Sequence, residues 1–356
     1  MATPADPRRR RGTRHPFVSV LLIAGSAVLA GARSFAAIGQ WAKAAPQEAL
    51  ARLGARTTAA FNLRVAPSAA TIRRVLNAVC PGGLADLLGA DPAGTATPAV
   101  DGKSARGSRT ATGPAAHLLA AMTGTGLAVT QLRVPDKTNE IACFAALLEP
   151  FDLTGVTVTA DALHTQRDHA RFLVEEKRAH YLMVVKANQP GLLRQLRSLP
   201  WKLATARRYD RETGHGRKET RATRALTVTE LGLDFPHAVQ AARILRHRTH
   251  LRSGKVTRQT IYALTDLTAR QASPQRLGRL ARSQWVIENR LHFVRDTAFA
   301  EDASKIRTGH GPQNMATFRS FAINQLRAAG HTNIVAGIRE MSYEPFHRPL
   351  DLLGLA

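Results

Sequence analysis

Between Ala99 and Lys186 the chain switches repeatedly between the two-residue period of strands and the 3.6-residue period of helices. A short strand ending in Asp101 comes first. HLLAAM (His117 to Met122) and LAVTQLRV (Leu127 to Val134) then flank the turn TGTG and read as a hairpin. A helix is expected from about Thr138 to Leu148, and the strand VTVTA (Val156 to Ala160) stops at Asp161. A second helix from about Gln166 to Lys177 leads into the strand YLMVVK, Tyr181 to Lys186.

Three strands, helix, strand, helix, strand, with one acid on the first strand and another at the end of the fourth, is the layout of an α/β ribonuclease-H-like core. Residues Leu192 to about Leu267 interrupt it. TRALTVTEL (Thr223 to Leu231), ARILRHRTHL (Ala242 to Leu251) and TRQTIYALTDL (Thr257 to Leu267) alternate like strands, so a strand-rich antiparallel insertion is expected there. From Pro274 the pattern is helical through Arg295, and again from Gln313 to Ala329.

Ahead of the core, Arg8 to Arg11 and the apolar run Phe17 to Gly31, followed by AGARSFA, imitate an export signal. The run is shorter than the ~18–20 residues of a membrane span. It also continues through Ser34, Phe35, Ile38 and Trp41 in a pattern compatible with an amphipathic helix, so a buried helix is expected. PSAATIRRVLNAV (Pro67 to Val79) reads as a capped helix with Ile72, Val75, Leu76 and Val79 on one face and Arg73 and Arg74 on the other, a basic face that either binds DNA or is simply solvated. The expected organisation is a small helical domain over 1–80, a linker over 81–98, the core over 99–330 with its insertion at about 192–267, and a tail over 331–356.

Composition narrows the function. Fifty Lys and Arg against 26 Asp and Glu leave a formal charge of +24, which calls for an abundant polyanion, nucleic acid before membrane surface. Because the excess is mostly Arg in an Ala-rich chain, local clustering carries more information than the total. Two cysteines, Cys80 and Cys143, exclude a disulfide framework and a Cys-based zinc cluster, and no His pair has ligand spacing.

Asp161 stands at the carboxyl end of a strand, where α/β sheets present ligands. Asp101 lies in DGKSARGSR, with Lys103, Arg106 and Arg109 close behind. Either Asp alone is more often a turn or cap residue. Two acids at adjacent strand ends repel unless a divalent cation lies between them, so the pair points to metal. A third carboxylate comes from ARSQWVIENRLHFVRD. There a 3.6-residue period sets Ile287, Leu291 and Val294 on one face and Gln284, Glu288, His292 and Arg295 on the other. Glu288 could instead serve a surface salt bridge with Arg282 or Arg295. Residues 243–295 hold twelve Lys or Arg against two acids, Asp266 and Glu288, so an acid kept there suggests a role beyond solubility.

Together, DGKSARGSR, VTADALHTQRDHARFLVEEKRAHYLMVVKANQP, GHGRKETR and QWVIENRLHFVRDTAFAEDASKIRTGHGPQNMATFRSFAINQLR closely resemble the DDE transposases of bacterial insertion sequences, the ISAs family in particular. RHPFVSVLLIAGSAVLAGARSFAAIGQWA and PSAATIRRVL resemble the N-terminal domain associated with that family, so the resemblance covers nearly the whole chain. It implies that Asp101, Asp161 and Glu288 are the catalytic acids and hold two Mg²⁺ ions, with Mn²⁺ an alternative. It also implies cleavage of element ends and strand transfer into target DNA, and hence double-stranded DNA and further copies of the chain as partners in a synaptic complex. A cytoplasmic, nucleoid-associated protein without membrane contact is expected. The residues expected on DNA are Lys103, Arg106, Lys186, Arg217, Lys218, Arg221, Arg290, His292 and Arg295. His164 and Gln166 either approach the scissile phosphate or cap the following helix, and Glu301 and Asp302 are alternative third acids. One departure is Gln284, where the family usually has His. A nuclease that does not join strands and a DNA-binding remnant without catalysis are the rival readings; the presence of all three acids argues against the second.

Overall fold

The computed structural model describes residues 4–9, 13–59, 62–92, 97–204, 206–214 and 216–355. Arg10, Arg11 and His215, which the sequence reading used, lie outside them. The chain opens with α1 (Phe17–Leu29), α2 (Phe35–Ala44) and α3 (Gln47–Arg52), the two-residue strands β1 (Arg56–Thr57) and β2 (Arg64–Val65), and helices α4 (Ala69–Ala78) and α5 (Pro81–Ala85). Because α1 is apolar almost all round, it is buried almost all round: Val20, Ile23, Ala24, Ala27, Val28 and Leu29 are all fully enclosed. Ser34 and Ser68 cap α2 and α4 by accepting the N–H groups of Ala37 and Thr71. No helix among the described residues is long and apolar enough to cross a membrane.

The core supplies β3 (Ala99–Ala105), β4 (Ala116–Met122), β5 (Ala128–Val134), α6 (Glu140–Leu148), β6 (Thr157–Ala160), α7 (Arg167–Arg171), β7 (His180–Val185) and α8 (Pro190–Ser198). Strands β8 (Arg207–Gly214), β9 (Arg217–Thr227), β10 (Gln240–His250) and β11 (Val256–Thr265) follow. The chain ends in α9 (Pro274–Ile287), α10 (Phe293–Phe299), α11 (Gly311–Ala328), α12 (Ile334–Tyr343) and α13 (Arg348–Leu352). One nine-stranded sheet has the order β5-β4-β3-β6-β7-β11-β10-β9-β8. Strands β3, β6 and β7 run parallel, while β4 and β5 are antiparallel neighbours at one side. This is the ribonuclease-H-like order the sequence predicts.

The insertion does not form a body of its own. Strand β11 pairs antiparallel with β7 from Tyr262↔Val185 to Thr265↔Leu182, so β8 to β11 extend the central sheet past its usual edge. An edge strand offers unpaired N–H and C=O groups, and the insertion satisfies those of β7. Arg217–Arg221 of the GHGRKETR segment open β9, and β8, ahead of the three strands expected in the insertion, was not foreseen. Two further expectations are corrected. In the proposed linker, residues 81–88 form α5 and a 3₁₀ turn that bury Leu84 and Leu88. The proposed tail folds back as α12 and α13, whose Ile334, Met341 and Leu350 share one apolar cluster with α1, α2, α4 and α11. Trp41 Nε1 donates to the Pro345 carbonyl at 3.1 Å across that junction.

Helices cover both faces of the sheet. Phe144, Leu147 and Leu148 of α6, with Phe172, Leu173 and Leu196, pack on one face. Leu277 and Leu280 of α9 pack on the other, against Leu182, Ala225, Ala242 and Ala263. By lying across β3, β6 and β7, α9 carries its far end to the acid-bearing strands.

Candidate active site

The parallel register pairs Ala99 with Thr159 and Val100 with Ala160, so one step further Asp101 stands level with Asp161 on the next strand. Asp101 does not end its strand as expected. Pairing with β4 continues to Ala105↔Ala116, whereas β6 stops at Ala160, so Asp101 overlooks the crevice where its neighbour has ended. The third acid arrives on α9, which Gln284 fastens to β3: its Nε2 donates to the Val100 carbonyl at 2.9 Å, one residue before Asp101. The residue that departs from the family pattern thus has a positional role of its own.

After Ile287 the helix widens into a π turn over Glu288–His292 before α10 resumes. A π turn adds one residue per hydrogen-bonded ring and shifts the phase of everything after it, and such turns are frequent at functional sites. Here it turns His292 inward. Its ring is 4% exposed, with Nδ1 3.5 Å from Asp101 Oδ2 and 3.6 Å from Glu288 Oε2. Asp101, Glu288 and His292 each bring a ligand atom within 4.8 Å of the others. Burial disfavours a charged imidazole, but the carboxylates of Asp101 and Glu288 outweigh it and raise the His292 pKa. Interaction with His292 in turn lowers that of Glu288 against its partial burial.

Asp161 is held separately. Burial would raise its pKa, but Lys186 Nζ, donating to Oδ1 at 3.0 Å, and the N–H groups of Ala162 and Leu163 bring it below the ordinary value. Asn188 Nδ2 donates to the Ala162 carbonyl at 2.8 Å, so the KANQP segment clamps the turn behind this acid.

Several residues expected on DNA are occupied elsewhere. With the helix rephased, Arg295 points into the core at 0% exposure and pairs with the equally buried Glu301 at 2.7 Å, which Arg319 reaches from the other side at 3.0 Å. Neither Arg295 nor the buried His292 is open to a phosphate, and Glu301 is an internal counter-ion rather than a third metal acid. Lys103 is largely buried between Asp296 at 3.0 Å and Asp302 at 3.1 Å, which also removes Asp302 from the metal candidates. Arg106 remains exposed, 3.6 Å from Asp302. His164 is fully buried and faces Glu140, not the crevice, while Gln166 Nε2 donates to the Leu163 carbonyl. The salt-bridge alternative for Glu288 has no counterpart: Arg282 pairs with Glu212 and Arg295 with Glu301.

Beside the acids, α9 and the insertion strands enclose an open groove of about 590 Å³ lined by Arg217, Arg221, Arg246, Arg248, Arg282 and Arg290. Glu219 accepts from Arg246 and Arg248 and pairs with Arg221, so Arg217 contributes charge more freely than its neighbours. Strand alternation sets Lys218 on the opposite face, and it does not line the groove. The part played by β10, which contributes Arg246 and Arg248, was missed; the alternation of Arg246, Arg248 and Ile244 in ARILRHRTHL was the available signal.

The Transposase DDE domain family matches residues 95–325, and the DDE_Tnp_1-associated family matches residues 2–90. Relatives include the "Putative transposase YncI" of Escherichia coli O157:H7, 30% identical over 239 residues, which are 64% of this chain and 61% of that protein. The "H repeat-associated putative transposase YhhI" of Escherichia coli K12 is 29% identical over 244 residues, 64% of this chain and 63% of that one. The chain thus spans less than two thirds of the length of these relatives. A solved piggyBac transposase synaptic complex with hairpin DNA aligns with 98% of this chain and 76% of its own, at 10% identity and a TM-score of 0.43. With residues 95–325 matched, a span that takes in the whole nine-stranded sheet, the chain belongs to the Transposase DDE domain family.

Proposed function

We propose that this chain is a metal-dependent DNA transposase of the ISAs type, cleaving the ends of an insertion sequence and joining them to target DNA. The observation that carries the reading is the meeting of Asp101 and Glu288, from elements far apart in sequence, level with Asp161 and beside an arginine-lined groove. Asp101, Asp161 and Glu288 are the ligands for two Mg²⁺ or Mn²⁺ ions. The donor set fits such ions, because hard divalent cations prefer carboxylate oxygen and three acids outnumber the His292 and Lys186 groups that pair with them. When bound, the ions supply activation of a water or 3′-hydroxyl and stabilisation of the leaving oxygen.

The chain's own residues position the reacting strands. Gln284 holds the Glu288 helix against β3, and His292 restrains the Asp101 and Glu288 carboxylates from behind. Lys186 neutralises Asp161. Arg217 and Arg290 are the groove residues assigned to backbone phosphates. The partners are double-stranded DNA and further copies of this chain in the synaptic complex.

The test is cleavage of a duplex carrying the element's own ends. Cutting that requires Mg²⁺ or Mn²⁺, stops with EDTA and leaves no protein–DNA adduct is expected. EDTA-resistant cutting or a trapped covalent intermediate would overturn the reading. Cutting without joining would assign a nuclease instead.

A further inference from the structure

On the face of β3 opposite the acids lies a polar cluster that the proposed chemistry does not use. Glu140, at the start of α6, is largely buried between two histidines. His117 Nε2 lies 2.5 Å from its Oε1 and His164 Nε2 lies 3.3 Å from its Oε2. His117 sits on β4 directly across from Ser104 of β3, and the Ser104 Oγ is 2.8 Å from its Nδ1. His164 closes the 3₁₀ turn that starts immediately after Asp161. Burial opposes ionisation of Glu140, but hydrogen bonds from both rings outweigh it and hold the carboxyl at about 2.

Gly102 shows why the site has this form. A Cβ there would fall well inside contact distance of the Glu140 carboxyl group, so a side chain at 102 and a carboxylate at 140 compete for one volume. Gly102 is the residue after Asp101, and its backbone does not require glycine, because its φ is not positive. Glycine is therefore explained by the space Glu140 occupies, not by chain conformation.

We propose that Glu140 is a positioning residue that sets the spacing of Asp101 and Asp161 by tying the β3–β4 pair, through His117, to the turn after Asp161, through His164. The proposal rests on the reading of those two aspartates as metal ligands. Glu140 touches neither acid and is not a catalytic residue. Its carboxylate lies under Gly102 and joins by polar contacts two segments whose direct backbone pairing, β3 with β6, is short. A carboxylate accepting from two imidazoles fixes both by charge-assisted bonds, which are directional and stronger than neutral ones. Loosening this tie leaves the ligands present but poorly spaced, so it should weaken cation affinity before it affects anything else.

The experiment titrates Mn²⁺ against the full chain by electron paramagnetic resonance, with thermal unfolding and binding to element ends measured in parallel. Glu140→Gln is expected to raise the half-saturating Mn²⁺ concentration about tenfold, as loss of outer-shell support typically does, with end binding unchanged. Gly102→Ala should produce a similar shift by displacing the carboxylate. In a Glu140→Ala background, which empties that volume, Gly102→Ala should add less than about twofold, because neighbours that share one volume are not additive. Glu140→Gln with a lowered melting temperature and unchanged Mn²⁺ affinity would reduce the cluster to a structural one and overturn the proposal. So would Gly102→Ala and Glu140→Ala shifts that simply multiply. Asp101→Asn separates this failure from failure of the underlying reading: if Asp101→Asn also leaves Mn²⁺ binding intact, the metal assignment itself is wrong.

Discussion

Glu301→Gln tests whether this acid belongs to the core or to the chemistry. In the structure Glu301 is fully buried, bracketed by Arg295 Nη2 at 2.7 Å and Arg319 Nη1 at 3.0 Å. Gln131 extends the network from β5, its Oε1 3.3 Å from Arg295 Nη1 and its Nε2 donating to Thr317 at 2.8 Å. Burial pushes the Glu301 carboxyl up, but the two guanidinium groups hold it at about 2, against an ordinary value near 4.5. At 1.36 kcal/mol for each tenfold change in the proton equilibrium, that difference corresponds to about 3 kcal/mol. Breaking a buried pair by removing one partner typically costs ~3–5 kcal/mol, because the remaining charges stay buried without compensation. Glutamine keeps the shape and removes the charge, so urea titration at pH 7 should show a loss of about 3 kcal/mol. Since the folded carboxyl has the lower pKa, its contribution is complete at neutral pH and declines as the pH falls from about 4.5 towards 2. By pH 4 the gap between wild type and variant should therefore have narrowed by about 1 kcal/mol. Under conditions where the variant is folded, DNA cleavage should persist. A variant as stable as wild type, a gap that does not change with pH, or a folded variant that binds DNA ends but cannot cut them would refute the structural assignment.

Other consequences can be measured directly. Glu288→Gln removes a ligand charge while keeping shape, so cleavage should collapse while binding to element ends survives in a gel-shift assay; a variant that still cuts would move the third ligand elsewhere. Arg217→Ala should lower the slope of log affinity against log salt by about 0.9, the value for one lost phosphate contact, whereas Lys218→Ala, on the other face of β9, should change it less. Gly39→Ala should destabilise the N-terminal helices by about 1–3 kcal/mol in thermal unfolding, because a Cβ there would lie 2.8 Å from the Ala69 Cα where α2 crosses α4; an unchanged melting temperature would show that the crossing relaxes freely.

Much of this protein was legible in its residues. Hydrophobic period alone placed β4, β6, β7, β10 and β11 to within a few residues, and it marked α1 as a buried helix. It also put Asp161 at a strand end and Glu288 on a long amphipathic helix, because those features depend on neighbours two to four residues away. Burial, ion pairing and strand partnership depend on groups hundreds of residues distant, and there the reading failed. No local pattern showed that β11 would pair with β7 and merge the insertion into the central sheet. None showed that α12 and α13 would close the core begun by α1. The 3.6-residue period placed Arg295 beside Glu288, but the π turn shifts the phase by a residue and delivers that arginine to Glu301, whose role as a buried counter-ion exists only once Arg319 arrives from α11. Lys103 looked like a DNA contact for the same reason: its charge is local, while the two aspartates that occupy it come from 296 and 302. The order of elements was set by the sequence through short-range periodicity, which also placed Asp161 after a strand and Glu288 on a helix. Which charges face DNA and which hold the molecule together was decided by tertiary structure, since a charge's role follows from its distance to other charges in space.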